Sequence, residues 1–196
     1  MELIDAMARR RMVRAFDPTA LAPSDVDLLL DRARRAPSAG NSQAVSFVVL
    51  EGAATNRYWD TTLPQERRQT FRWQKLLLAP VLVLVCTDPS MYRDRYAEPD
   101  KSKTGLGQSL TSWPVPYWWV DAGAVVQNIL LLATAAELGA CLFGPFDHEA
   151  AVKDEFNLND PTRIVATIAI GHPAADTAGR SSQRPRPPLD SVVLRP

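Results

Sequence analysis

One apolar stretch, VDAGAVVQNILLLATAAELGA, constrains the fold of this chain more than any other part of it. Its pattern predicts a helix over residues 121–138, capped by Asp121 and stopped by Gly139. A helix that is apolar nearly all round is typical of a membrane span, or of a core or subunit interface. Three polar side chains interrupt it: Gln127, Asn128 and Glu137. Because no basic flank or second hydrophobic segment accompanies it, we expect a buried helix and no membrane.

Charge and size narrow the function class further. Lys plus Arg number 22 in 196 residues, and Asp plus Glu also number 22. The chain therefore has no net positive charge that would favour nucleic acid as a partner. An apolar content of 46% is enough for one core, and we expect residues 1–196 to form a single domain. The start, MELIDAMARRRMVR, lacks the apolar core of a signal peptide, and Cys86 and Cys141 both lie in apolar runs. These features predict a cytoplasmic protein with two buried thiols rather than a redox disulfide.

Helical patterns recur before and after the central stretch. ELIDAMARR places Ile4 and Met7 on one face of a short helix, and APSDVDLLLDRARRA is a second helix with Ser24 as its expected N-cap. A charged helix is expected within residues 65–78, and DHEAAVKDEFNL is an amphipathic helix that begins at Asp147.

Strand patterns alternate with these helices. Buried strands are expected over residues 46–50, 81–87 and 163–171. Helices and strands alternate without a repeat, so the fold class is α/β or α+β. The sequence has no GxGxxG, P-loop, HExxH or CxxC pattern, and we expect no metal site.

Residues 89–119 break the periodicity. They contain four prolines and many Tyr and Trp side chains. A segment this long without a period of its own is usually functional or disordered, and its aromatic content argues against plain disorder.

Six motifs in order resemble the nitroreductase family of flavin-dependent enzymes along nearly the whole chain: RRRMVRAFD, ARRAPSAGNSQAVSFVVL, APVLVLV, DAGAVVQNILLLATAAELGACLFGPFD, IAIGHP and RPRPPL. The resemblance implies an α+β fold with a mixed sheet flanked by helices. It also implies a homodimer that binds two FMN molecules at the subunit interface, with the long apolar helix at that interface. Residues 172–196 are then a C-terminal extension, and residues 89–119 a lid or insert.

The octet APSAGNSQ, residues 36–43, has the composition of a turn between a helix and a strand. The resemblance implies a role for this turn. In the family the turn of one subunit lies against the flavin of the other. Gly40 allows an approach or a backbone angle that a larger residue would not. The residues that match the family's contacts are Pro37, Ser38, Ala39, Asn41 and Gln43, the last two as hydrogen-bond partners of the flavin or its ribityl chain.

Positively charged side chains are expected beside two parts of FMN, its phosphate and the pyrimidine edge of its ring. The family's phosphate-binding positions match Arg10, Arg11 and Arg14 near the start and Arg184 and Arg186 near the end, since Arg offers a planar, permanently charged fork. Arg10 and Arg14 share a face if that segment is helical. Two further cations are expected at the pyrimidine edge, where they stabilise the reduced ring: Lys75 and, one turn earlier, Arg72.

Two positions depart from the family pattern. Met12 replaces a Ser or Thr that is common between the first arginines. In FGPFD the family often presents two backbone N–H groups to flavin N5 and O4, but Pro145 has none. Phe143 and Gly144 are the expected flavin contacts there, with the Gly144 N–H as the N5 donor.

The resulting prediction is an FMN-dependent oxidoreductase that passes electrons from NAD(P)H to nitroaromatic or quinone-type acceptors by a ping-pong cycle. The cofactor carries the chemistry, so no catalytic side chain is assigned. Trp113 and Tyr117, in WPVPYWW, are expected as an aromatic wall for the substrate, the alternative being an interface or core cluster. His148 and His172 are expected in structural or solvent roles. Other functions stay open: a flavin-fragmenting or dehalogenating enzyme of the same superfamily, or a non-catalytic flavin-binding protein.

Overall fold

The computed structural model of the chain describes residues 1–175, 179 and 183–195. Seven α-helices and four β-strands lie in these residues. The helices are α1 (Leu3–Arg9), α2 (Pro23–Ala33), α3 (Ala53–Thr62), α4 (Gln65–Arg68), α5 (Pro89–Ala97), α6 (Tyr117–Ala135) and α7 (Glu149–Glu155). The strands are β1 (Val45–Glu51), β2 (Val81–Thr87), β3 (Gly139–Phe143) and β4 (Arg163–Gly171). The predicted α+β class is confirmed.

The strands form one sheet in the order β1-β2-β4-β3. Each of the three pairings is antiparallel, so the mixed character that the resemblance implied is not present among the described strands. At one end of the sheet Val45 of β1 pairs with Thr87 of β2, and at the other Glu51 pairs with Val81.

The central strand β2 is buried on both faces, and its side chains alternate between two core clusters. Val81, Val83 and Val85 join a cluster that includes residues of α2 and α6. The intervening residues face the opposite side, where Tyr58 and Trp59 of α3 lie. This two-residue period follows from strand geometry and places helices on both faces of the sheet.

Helix α6 is the long apolar helix, but it begins at Tyr117 and ends at Ala135. Asp121 therefore lies inside the helix and is not its N-cap. Among the described residues α6 is the one helix long and apolar enough to span a membrane by length and composition alone. Eight of its residues are buried within the chain, and its side chains form much of the first core cluster. Packing within the chain therefore accounts for one face of the helix.

Other expected boundaries differ from the structure. Ser24 is not a cap, because α2 already starts at Pro23 with Ala22 as the N-cap residue. The charged helix is reduced to α4 and a 3₁₀ turn at Gln74–Leu78. Helix α7 starts at Glu149, after a 3₁₀ turn at Phe146–His148. The aperiodic segment contains α5, which begins with Pro89 at N1 and has Asp88 as a cap that accepts from the Ser90 amide.

Candidate active site

The first arginine cluster lies on a non-helical segment beside the edge strand β3. Helix α1 ends at Arg9, so the helical spacing expected for Arg10 and Arg14 does not apply. The segment is held instead by a hydrogen bond from the Val13 amide to the Ala140 carbonyl oxygen, 2.9 Å long. Arg10 and Arg14 are half-buried there, whereas Arg11 is exposed.

A cationic pocket of about 370 Å³ opens where this segment meets the loop before β2. A bond of 3.1 Å from the Phe16 amide to the Lys75 carbonyl oxygen joins the two segments. The guanidinium carbons of Arg14 and Arg72 lie 5.3 and 5.4 Å from the ring centroid of Trp73, within the range of cation–π attraction. The lining residues are Arg14, Ala15, Arg72, Trp73, Gln74, Lys75 and Ala175.

The charges of the lining residues indicate which kind of ligand suits this pocket. Among the described residues that line it, three carry positive charge and none carries a carboxylate. The three cations were predicted from the sequence, but Trp73, whose indole contacts two of them, was not. A flat or anionic ligand suits such a lining, because guanidinium groups recognise phosphate and carboxylate and an indole supports planar groups.

The end of β3 leads into the expected N5 contact. The Phe143 ring stacks on Trp59 at a centroid distance of 5.6 Å and an interplanar angle of 17°. Gly144 follows, and then Pro145, which is buried with φ −74° and ψ −15°. Phe146 comes next with a positive φ of 45° and is 82% exposed. Strained backbone of this kind clusters at functional sites. Phe146 was not predicted as a site residue from the sequence.

The octet turn forms a short 3₁₀ turn at Ala39–Asn41. Inside it, the Ser42 hydroxyl donates to the Ala39 carbonyl at 2.7 Å, and the Gln43 amide donates to the Ser38 hydroxyl at 3.0 Å. Pro37, Asn41 and Gln43 are exposed, and Ser38 and Ala39 are half-buried. The turn therefore presents small and polar groups to the outside of the chain.

The pocket and the turn lie at opposite ends of the sheet. The turn precedes Val45, which pairs with Thr87 at the end of β2. Lys75 precedes the start of β2. Seven strand residues at about 3.3 Å each separate the two ends by roughly 20 Å. Within one chain the structure does not bring these two parts of the predicted flavin site together.

The expected aromatic wall is divided between core and surface. Trp113 is only 7% exposed, with its ring centroid 4.6 Å from that of Tyr96 and 5.9 Å from that of Tyr92. Its indole N–H donates to the Leu106 carbonyl at 3.0 Å. Trp113 thus has the surroundings of the core-cluster alternative, whereas Tyr117 has an exposed ring. A substrate contact for either residue stays a prediction.

The second arginine pair lies in the tail. Arg184 and Arg186 are exposed within the described residues 183–195. Residues 176–178 and 180–182, which link the tail to the core, lie outside the described part of the chain. A phosphate site shared by these two side chains with Arg10 and Arg14 stays a prediction.

Neither the cysteines nor the histidines are among the described residues that line the cationic pocket. Cys86 and Cys141 are both buried, and burial raises the pKa of Cys86 to about 12, so that side chain is a thiol at neutral pH. His148 and His172 are both exposed. Within the described ranges, no group of three or more His, Cys, Asp or Glu is arranged to hold a metal ion.

Fold and site together define an α+β protein with a cationic pocket between the segment of Arg14 and the loop before β2. The model of the nitroreductase family matches residues 7–172, and the chain belongs to that family. A 4-nitrobenzoate reductase from Nocardioides sp. (strain LMS-CY) is 30% identical over 226 residues, which cover 98% of this chain and 90% of that protein. A 4-nitrobenzoate reductase from Pseudomonas putida is 27% identical over 206 residues, covering 92% and 89%.

Solved structures share the fold of this chain. A nitroreductase family protein from Streptococcus pneumoniae TIGR4 superposes with a TM-score of 0.76 at 20% identity and covers 100% of both chains, which supports the fold. A protein from Desulfovibrio desulfuricans, solved in complex with FMN, has a TM-score of 0.71 at 25% identity and covers 100% of this chain and 97% of its own.

Proposed function

We propose that this protein is a homodimeric, FMN-dependent oxidoreductase of the cytoplasm that transfers electrons from NAD(P)H to nitroaromatic or quinone-type acceptors by a ping-pong cycle. The observation that carries the proposal is the pocket in which Arg14, Arg72 and Lys75 converge around Trp73. Membership of the nitroreductase family, the FMN complex of one structural relative and the names of the reductases support the same function.

The described residues fit FMN. Its ring system is flat and gains negative charge on reduction, and its phosphate is anionic. The pocket offers cations with no opposing carboxylate among its described lining residues, so it matches both properties. Arg14 and Lys75 would hold the ring edge and Arg10 the phosphate, with Arg184 and Arg186 arriving from the tail. The Gly144 N–H would serve N5. When bound, FMN supplies hydride transfer at N5, and the protein supplies binding and orientation.

The separation of pocket and turn supports a second subunit. One chain holds them roughly 20 Å apart, across the length of β2. A ligand in the pocket can contact Ser38, Asn41 and Gln43 only if they come from another copy. The active site proposed here is therefore complete only in a dimer.

The exposed apolar surface indicates where that copy packs. Helix α1 exposes Leu3, Ile4 and Met7, with Ile4 79% exposed, and it packs on α6. Helix α6 in turn exposes Val120, Gly123 and Gln127, whose spacing of three and four residues places them on one face. Exposed apolar side chains on α1, next to an exposed face of α6, are typical of a homodimer interface. The predicted apolar face of α1 is thus exposed within the single chain.

The spectrum of the purified protein is the first test. We expect flavin absorption bands, a dimeric mass in solution and oxidation of NAD(P)H that depends on 4-nitrobenzoate or a quinone. Parallel double-reciprocal plots are the expected signature of the ping-pong cycle. A protein that binds no flavin under reconstitution with FMN would refute the proposal. Flavin binding without turnover would favour a binding protein, and breakdown products of the flavin under oxygen would favour a flavin-fragmenting enzyme.

A further inference from the structure

The turn proposed to face the partner's flavin is conformationally demanding. Gly40, Asn41 and Gln43 all have positive φ values, of 62°, 57° and 50°. Left-handed backbone is favourable for Gly and tolerated by Asn, but it is strained for Gln. Such a run persists only where surrounding groups hold it in place.

Asp121 supplies one of these holding groups. Its side chain is 7% exposed, and one carboxylate oxygen accepts two hydrogen bonds. One comes from the Ala39 amide at 2.8 Å and the other from the Tyr92 hydroxyl at 2.9 Å. Burial, and then the Asp121 carboxylate, raise the pKa of Tyr92 above its ordinary value, so Tyr92 stays a hydrogen-bond donor. A buried carboxylate in an apolar helix is costly, and here its bonds are made to the turn and to a tyrosine beside it.

Helix α5 holds the turn from a second direction. The Arg95 Nε donates to the Gly40 carbonyl at 2.8 Å, and the same guanidinium is fixed by two bonds of 2.8 Å to Asp100. The Tyr96 ring lies so close to Gly40 that a side-chain carbon there would come within 2.6 Å of it. The segment expected as a lid therefore packs beneath the turn.

A second polar residue of α6 serves the same connection. The Asn128 amide donates to the Ala33 carbonyl at the end of α2, at 3.1 Å. Asp121 and Asn128 are seven residues apart, two helical turns or about 10 Å. The connection from α2 to β1 is thus tied to α6 at its start, through Ala33, and near its middle, through Ala39.

We propose that Asp121 is a positioning residue for the active site, which together with Tyr92 holds the Ser38–Gln43 turn in the shape that receives the flavin of the partner subunit. The inference rests on the proposed function for the identity of the ligand. Its structural part, that Asp121 holds the turn, depends only on the contacts within one chain.

Hydrogen exchange of the turn tests the structural part without flavin. In protein stripped of flavin, we expect Asp121→Leu to speed amide exchange in residues 36–43 by about 10- to 100-fold, because the Ala39 amide loses a charged acceptor. Asp121→Asn keeps an oxygen acceptor and should retain most of the protection. Equal exchange in Asp121→Leu and the wild-type protein would overturn the role.

Flavin titration tests the functional part, with a pair of matched tyrosine variants. Tyr92→Phe removes the bond to Asp121, whereas Tyr58→Phe removes a buried bond of the same 2.9 Å length, to Thr167, on the other face of the sheet. We expect Asp121→Leu to weaken FMN binding at least about tenfold and Tyr92→Phe a few-fold, with Tyr58→Phe unchanged. If Asp121→Leu fails to fold, Tyr92→Phe against Tyr58→Phe decides the question.

The outcomes separate the two ideas. If the wild-type protein binds FMN and the Tyr92 and Asp121 variants bind it equally well, the positioning role is wrong and the proposed function stands. If the wild-type protein binds no FMN, the proposed function and the flavin part of the inference both fail. The exchange rates then still decide whether Asp121 holds the turn.

Discussion

Restoring a backbone donor at Pro145 should raise the reduction potential of the flavin. The resemblance to the family predicts that Pro145 lies where an N–H is often presented to flavin O4, and proline has no N–H. Its φ of −74° and ψ of −15° lie in the right-handed helical region, which alanine adopts without strain. Pro145→Ala therefore adds the donor with less loosening of the turn than Pro145→Gly.

The size of the effect follows from one hydrogen bond. An N–H aimed at O4 stabilises the negative charge that grows on reduction, by about 0.5–1.5 kcal/mol net. For a two-electron couple this corresponds to a rise of about 10–30 mV. Spectroelectrochemical titration of variant and wild-type holoprotein at one pH measures the difference, with Pro145→Gly expected to shift in the same direction.

A matched proline variant controls for the loss of backbone restraint. Pro64 is exposed and precedes α4 without a place in the proposed site, so Pro64→Ala should leave the potential unchanged. The comparison requires that each variant keeps its flavin and its dimeric state. A potential that stays the same or falls in both Pro145 variants would mean that Pro145 does not face O4.

Three further outcomes are expected. Changing both Arg184 and Arg186 to Ala should cost strongly in FMN affinity, since each charge-assisted bond to phosphate is worth about 1.5–3 kcal/mol; unchanged flavin content in the purified double variant would contradict this. Tyr117→Ala should change Michaelis constants for aromatic acceptors while the dimer persists, and identical steady-state kinetics for several acceptors would count against a substrate contact. The Arg163 guanidinium lowers the pKa of Glu149 below its ordinary value of 4.5. The pair therefore stabilises the fold above that pH, and its contribution is lost as the pH falls through the lowered pKa. Acid unfolding of Glu149→Gln should depend less on pH over that range, and an unchanged profile would refute the link.

Local sequence patterns were sufficient to locate the three longer strands, β1, β2 and β4, but not to give their antiparallel pairing. Strand β2 runs over Val81–Thr87 as predicted, and β1 extends one residue beyond the prediction at each end. A run of β-branched and aliphatic residues bounded by Pro80 and Asp88 leaves few alternatives. The ordered motifs likewise carried the family assignment, because turn residues and basic clusters can be read along the chain without knowing their partners.

Helix boundaries and the burial of aromatic residues needed the tertiary structure. Asp121 has the composition of a cap, but the helix starts four residues earlier, where Trp118 packs into the cluster around Tyr92. Helix α3 has no strong period, and it was not predicted. Its Tyr58 and Trp59 are buried because they pack beneath the sheet, which depends on residues far away in the sequence.

By itself the sequence determined which groups exist for flavin chemistry: the arginines, the small polar turn, and a proline where a donor is common. Only the tertiary structure decided which of them meet. A backbone hydrogen bond from Phe16 to Lys75 holds the segment of Arg14 next to Lys75. The turn before β1 lies at the other end of the sheet. Periodicity and composition are local properties of the chain, whereas a site is made by contacts across long sequence separations, such as the bond between Asp121 and Ala39.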